Sequence, residues 1–196
     1  MKFTQIPSDT FKKLQLNAGV LSTTFEPSTG TLTAENVIGA TTGGISFEAT
    51  PEFEDFGDDI DNCPKNTKEL KKLKHWGVTL SGTFVTMDTK VARSMAGAAD
   101  IDSSDLTKVV PRNDVDVEKD FSDIWFVGDY SDENTGESAG FIAIRVIDAL
   151  STGGFKMQST DKGKGNFEFE YTGHYSMANQ DRVPYEVYVK QGGSKQ

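Results

Sequence analysis

The stretch NFEFEYTGHY, residues 166–175, decides the fold class. Phe167, Phe169 and Tyr171 fall on one side of an extended chain and Glu168, Glu170 and Thr172 on the other. A period of two marks a strand with one face in a core and one in water. The same device closes the chain in VPYEVYVK, residues 183–190, where Val183, Tyr185, Val187 and Val189 oppose Glu186, Tyr188 and Lys190. Pro184 removes a ladder donor there, which suits an edge strand or a strand start. Upstream, IWFVGDY (124–130) and GFIAIRVID (140–148) read as strands, the second apolar on both faces apart from Arg145 and Asp148 and therefore central. Between these strands lie SDENTGES (131–138), STGG (151–154), STDKGKGN (159–166) and SMANQDR (176–182), all rich in turn formers.

Working outward, the first half is richer in Gly and Thr, with shorter candidate strands at 19–25, 31–35 and 44–50 and a long one over 75–87. In the long one Trp76, Val78, Leu80 and Phe84 alternate with polar residues, and Gly82 marks a bulge or a close backbone approach. One helix is expected after Asp88, whose side chain can cap the first free amides, with Val91, Ala92, Met95 and Ala99 as its apolar stripe. ELKKLK (69–74) adds at most a helical turn. The expected class is mainly β: an antiparallel β-sandwich or barrel of two sheets, one flanking α-helix and a long charged inter-strand loop. One domain is expected over 1–196, with the loop at about 50–74 and an acidic insertion at about 100–123.

That loop carries an acid block (Glu52, Glu54, Asp55, Asp58, Asp59, Asp61) followed by a base block (Lys65, Lys68, Lys71, Lys72, Lys74). Loops of such length inside compact domains are usually functional or disordered. An acid block and a base block on one loop are self-complementary, and head-to-tail contacts of that kind generate rings or filaments.

Composition narrows the function classes. The 196 residues include 13 Phe and 5 Tyr, enough aromatic area for a core, and carry a net charge of −10. That balance opposes any partner gripped through its phosphates, which requires clustered Lys and Arg. No apolar run reaches the roughly 18 residues needed to cross a bilayer, and the start lacks a signal-peptide core, so a soluble chain made in the cytosol is expected. The single Cys63 closes no internal disulfide, and its polar setting reads as an ordinary thiol.

Catalytic patterns are weak. His75 and His174 belong to no nucleophile–base motif, no G-x-S-x-G elbow is present, and Ser159-Thr160-Asp161-Lys162 matches S-x-x-K only inside a hairpin turn. Asp114, Asp116, Glu118 and Asp120 alternate, and oxygen ligands suit Ca²⁺, but neither this run nor 58–61 has EF-hand spacing, so solvated acidic surface is expected. No catalytic residue, cofactor or metal is assigned.

Two stretches, VIGATTGGISFEATP (37–51) and GFIAIRVIDALSTGGFKMQSTDKGKGNFEFEYTGHYSMANQDRVPYEVYV (140–189), resemble in their order the tail tube proteins, or major tail proteins, of tailed bacteriophages. The resemblance implies a structural virion protein, not an enzyme, that self-assembles into stacked hexameric rings. The inner strands of those rings form one β-barrel around a lumen, a conduit for DNA delivery into the host. It also implies a loop between two N-terminal strands that reaches a neighbouring subunit or ring, a place matched by 50–74. Its implied partners are further copies of the chain, tape measure, tail terminator and distal tail or baseplate proteins, with DNA passing without tight binding. Its implied location is the phage tail, assembled in host cytoplasm. Phe53, Phe56, Lys65, Lys68, Lys71, Lys72 and Lys74 are the candidate loop contacts, and Phe53 and Phe56 read equally well as packing on their own domain. Acids on a lumen wall would repel phosphates, and Glu168, Glu170 and Glu186 are the candidate lumen-facing acids because they occupy the polar faces of strong strands. The alternatives are a monomeric carbohydrate-type binding module using Trp76, Trp125 or Tyr188, a hydrolase using the acidic segments, and the tube protein of a contractile injection system.

Overall fold

The computed structural model describes residues 6, 7, 10, 13–130 and 140–191. It has ten strands and one α-helix among them: β1 (Gln15–Ser22), β2 (Thr41–Asp55), β3 (Lys71–Phe84), α1 (Thr89–Ala96), β4 (Ala99–Ile101), β5 (Val109–Pro111), β6 (Ser122–Tyr130), β7 (Phe141–Ser151), β8 (Lys156–Gln158), β9 (Asn166–Thr172) and β10 (Tyr185–Lys190). Eight strands form one hydrogen-bonded path, β1-β6-β7-β9-β3-β2, with β10 on β7 and β8 on β9, while β4 and β5 make a separate two-stranded sheet. Every pairing is antiparallel.

The path folds on itself at β7. Phe141 to Val146 pair with β10 and with β6, whereas Leu150 and Ser151 pair with Thr172 and Tyr171 of β9. The register against β6 shifts between Ser122 and Ile124, and Asp148 takes a positive φ of 46° at the corner. Asp123 holds this corner: its carboxylate accepts from the Asp148 amide at 3.2 Å and from Arg145 Nε at 2.8 Å. The result is a first sheet (β10-β7-β6-β1) facing a second (β8-β9-β3-β2), the arrangement expected from alternation and turns.

Between the sheets lie Leu21, Ile124, Phe126 and Val146 from the first and Val78, Leu80, Phe84, Phe169 and Tyr171 from the second. Helix α1 closes the side of this core with Val91 and Met95. Asp88 caps it as expected, accepting from the Val91 amide at 2.7 Å. Tyr171 reaches Ser94 on the helix at 2.8 Å, and burial pushes its phenol up to about 12. Tyr171→Phe keeps the ring and removes this link, so it is expected to cost about 1 kcal/mol in thermal or denaturant melting.

The central character of β7 is borne out, since both its faces are largely buried. Its outer face, with Trp125 and Val127, is covered by Phe25 and Leu32 in a second, smaller cluster. Two local expectations need correction. Residues 31–35 form no strand; they supply an isolated bridge from Glu26 to Thr31 and a short 3-10 turn, Ala34–Asn36. The long segment expected as a loop over 50–74 is mostly ladder, because β2 runs to Asp55 and β3 resumes at Lys71, leaving 56–70 as the loop proper.

Candidate interaction surfaces

Strands β2 and β3 outrun the rest of their sheet. The last β3–β9 pair is Thr79 with Thr172, yet the β2–β3 ladder continues to Asp55 and Lys71. Trp76 still packs against the core, and at about 3.3 Å per residue the ladder extends roughly 15 Å beyond it to Lys71. Its inward face continues the core stripe of Phe47, Ala49 and Pro51 into Phe53, paired with Leu73. No core lies beneath that end: Phe53, Phe56, Ile60 and Leu73 are each about half exposed. Phe53 and Phe56 are not among the residues packed against either core cluster. Lys71 lies over the Phe53 ring at 5.6 Å and Lys72 over Phe56 at 5.7 Å.

The register sets acid opposite base within one hairpin, Glu52 with His75, Glu54 with Lys72 and Asp55 with Lys71. Glu52 lies 3.0 Å from His75. Asp55 instead orders the loop, accepting from the amides of Gly57 at 2.9 Å and Asn66 at 3.0 Å, and Lys71 donates to Asn66 at 3.2 Å. Lys65, Lys68 and Lys74 are exposed, with Lys68 3.5 Å from Glu69 and Lys74 at the bulge between Leu73 and His75. The base block is thus partly balanced in cis. Asp58, Asp59 and Asp61 at the loop's tip, like Lys65 and Lys74, make no ion pair among the described residues.

The outer face of the second sheet has one chemistry. Cross-strand rows bring together Glu48, Thr79 and Thr172, then Ser46, Ser81 and Glu170, then Thr42, Thr83, Glu168 and Lys156. It is a surface of hydroxyls and carboxylates, with Lys156 as the only lysine in these rows. Both its lateral edges lack a ladder partner among the described residues: the 15-residue β2 on one side and the short β8 on the other. Pro51 fits in β2 because an edge strand can forgo that donor.

Glu168 and Glu170 share this face, and Glu186 does not. Glu186 stands on the outer face of the first sheet, where it binds Tyr188 at 2.6 Å, Arg182 at 2.7 Å and Arg145 at 3.3 Å. Burial raises its pKa, but the hydrogen bonds from Tyr188 and Arg182 and the nearby arginine charges outweigh this and hold the carboxyl below the ordinary 4.5. With the folded value depressed, the network's contribution is full above the unfolded value and is lost as pH falls through the folded one. Hydrogen-exchange protection of β10 is expected to decline in the native chain as pH falls below the ordinary carboxyl value of 4.5 and to lose that dependence in Glu186→Gln.

The insertion after α1 is built around a carboxylate that sequence spacing did not single out. The Asp120 side chain is fully buried and accepts from Arg112 at 2.6 and 2.8 Å and from the Asp116 amide at 2.8 Å, with Arg93 3.6 Å away. Arg93 also donates to the carbonyls of Ala99 and Lys119 at 3.0 Å, tying the insertion to α1. Asp120→Asn keeps the volume and removes the charge that two arginines face. It is expected to speed proteolysis within 100–119 while the sheets melt almost as before.

No family model matches the chain, and no curated protein matches it. Among solved structures it is similar to a chain of the virion of a native gene transfer agent particle, with a TM-score of 0.42 and 8% identity over 88% of this chain and 95% of that one.

The aromatic residues of the binding-module alternative form no open platform. Trp125 is buried beneath Arg145, whose guanidinium lies 5.4 Å from the ring, and Tyr188 packs beside it at 5.5 Å. Trp76 leans on Tyr185, with ring centroids 5.5 Å apart. No helix among the described residues is long and apolar enough to cross a membrane.

Proposed function

We propose that the chain is a structural self-assembly protein whose copies join through the edges of the second sheet into rings, six copies to a ring, that stack as a tail tube in a virion. The observation that carries this reading is the second sheet itself: two open edges flanking a face of hydroxyls and carboxylates. A long open edge invites pairing with another chain, and closure of a ring satisfies every edge at once. Four strands per copy and six copies give a barrel of about 24 strands, wider than the 16–18-stranded barrels that already enclose an aqueous channel. Glu48, Glu168 and Glu170 would face the lumen and repel nucleic-acid phosphates, so that DNA slides through. The protruding hairpin, with Phe53, Phe56 and the lysines of 65–74, supplies contacts between copies. Partners on this reading are the chain itself, tail terminator and distal tail or baseplate proteins at the ends, and a tape measure protein inside. No chemical step is assigned.

The test is negative-stain electron microscopy of the purified protein over a concentration series. Rings or hollow tubes are expected. Uniform small particles persisting at high concentration overturn the reading.

A further inference from the structure

A cleft lies between α1, the insertion that follows it and the ends of β6, β7 and β9. Its first recess has a volume of about 380 Å³, with Ile101, Ile124 and Ala149 among its walls. A second recess of about 330 Å³ shares Thr23, Lys90, Ser94, Ser122 and Ile124 with the first and runs on past the start of α1. Either volume is in the range of small-molecule sites. The polar groups of the first recess are not all spent. Tyr171, 1% exposed, and Ser94 both line it, with their hydroxyls 2.8 Å apart. Two hydroxyl protons serve that one hydrogen bond, and neither hydroxyl makes another among the described residues, so one proton is left to donate. Arg93 donates through Nε to the Ala99 carbonyl and through Nη2 to that of Lys119, which leaves Nη1 without a partner among the described residues. Lys90 is exposed and makes no ion pair among them. Lys119 is taken by Asp116 at 2.9 Å, and Asp120, the one carboxylate lining this recess, by Arg112 at 2.6 Å. Glu35 and Asp88 line only the second recess.

We propose that this cleft binds a small organic carboxylate, with its two oxygens between Lys90 and Arg93 and its apolar body against Ile101, Ile124 and Ala149. The argument is a match of donors and of charge. Free donors and cations gathered in one recess of a chain of net charge −10 favour an anion there over a neutral ligand. The Lys90 ammonium, Arg93 Nη1 and the spare hydroxyl proton are three donors for the two oxygens of a carboxylate. A phosphate, with three oxygens and up to two charges, asks for more donors than these. Tyr171 remains a donor through the neutral range, since burial holds its phenol at about 12. The apolar walls add affinity only for a ligand with a body, so a bare inorganic anion gains little from them. The anionic head belongs in the first recess because the acids of the second would repel it. Neither open edge of the second sheet lines the cleft, so this site stands apart from the tube reading.

Benzoate is the probe, with benzyl alcohol as its neutral counterpart and acetate as the head without a body. Saturation-transfer NMR of each ligand, titrated against the full-length chain, is expected to show saturable binding of benzoate and binding at least about tenfold weaker for the other two. Lys90→Glu reverses the charge at an exposed position in the first turn of α1, where an acid suits the helix, so melting is expected to hold. Its affinity for benzoate is expected to fall at least about tenfold. Ser122→Phe places a ring at an exposed position common to both recesses and is expected to abolish benzoate binding in a chain that melts as before. The proposal is overturned if benzoate does not saturate, if benzyl alcohol binds as tightly, or if either substitution leaves benzoate binding unchanged.

Discussion

Excising 53–74 and joining Glu52 to His75 through an Asn-Gly turn is expected to leave a folded chain that no longer forms tubes. The cut removes Phe53, Phe56, Ile60 and Leu73, all about half exposed, and stops before Trp76, which packs against the core. Little buried apolar area is lost, and a long loop becomes a two-residue hairpin favoured by strand twist. Melting is therefore expected to shift by only about 1 kcal/mol, within the range of ordinary surface changes. Assembly is expected to fall below detection, because the excised segment holds the hairpin's apolar and charged contacts together. Electron microscopy beside a thermal melt separates the outcomes: tubes from the shortened chain would show that the hairpin is dispensable.

Gly19→Val is expected to have the largest effect on the fold itself. Gly19 has a φ of +70° inside β1, at the register shift between Leu16 and Val20. A Cβ there would lie 2.4 Å from Phe126 Cε2 and 2.8 Å from the Val127 carbonyl oxygen, both on the neighbouring strand. Neither atom can retreat cheaply, since Phe126 belongs to the inter-sheet core and Val127 is ladder backbone. The left-handed conformation costs about 1–2 kcal/mol for an L-residue and the overpacking about 1–3 more. Against a total stability of about 5–15 kcal/mol, a fall in Tm of roughly 10 °C is expected. Gly43→Ala is the matched control. Its φ is +75° but nothing lies within 4 Å of the added Cβ, so only the conformational part, about 1 kcal/mol, applies. Equal losses in the two variants would mean that β1 yields to the clash.

The strands β9 and β10 are legible because their alternation is strict, and each lies within three residues of where the pattern puts it. Strand β2 alternates just as well through Glu54, but Pro51 and the acids made it read as a loop; an edge position tolerates both. Strand β3 was hidden at its start by the bulge at Lys74, which sets Leu73 and Trp76 three apart and breaks the period of two. Parity along a strand shows which residues share a face, but not which sheet the strand joins. Parity alone therefore groups Glu186 with Glu168 and Glu170 and passes over Glu48, whereas the strand pairings put Glu48 in the sheet of Glu168 and Glu170 and Glu186 beside β7. Asp120 could not be told from Asp114, Asp116 and Glu118 in its run. What distinguishes it is two arginines, one from β5's end and one from α1, brought to it by tertiary folding.

The corner at Asp148 has a mechanical consequence. Because β7 begins in the first sheet and ends in the second, the two layers are welded by an unbroken backbone as well as by apolar contact. A shear load on one layer passes into the other along covalent bonds. Delamination would require tearing the ladders on both sides of the bend, where Asp123, Arg145 and the ring of His174, 3.1 Å from the Asp148 carbonyl, act as rivets. A wall built from such units would flex as a single plate.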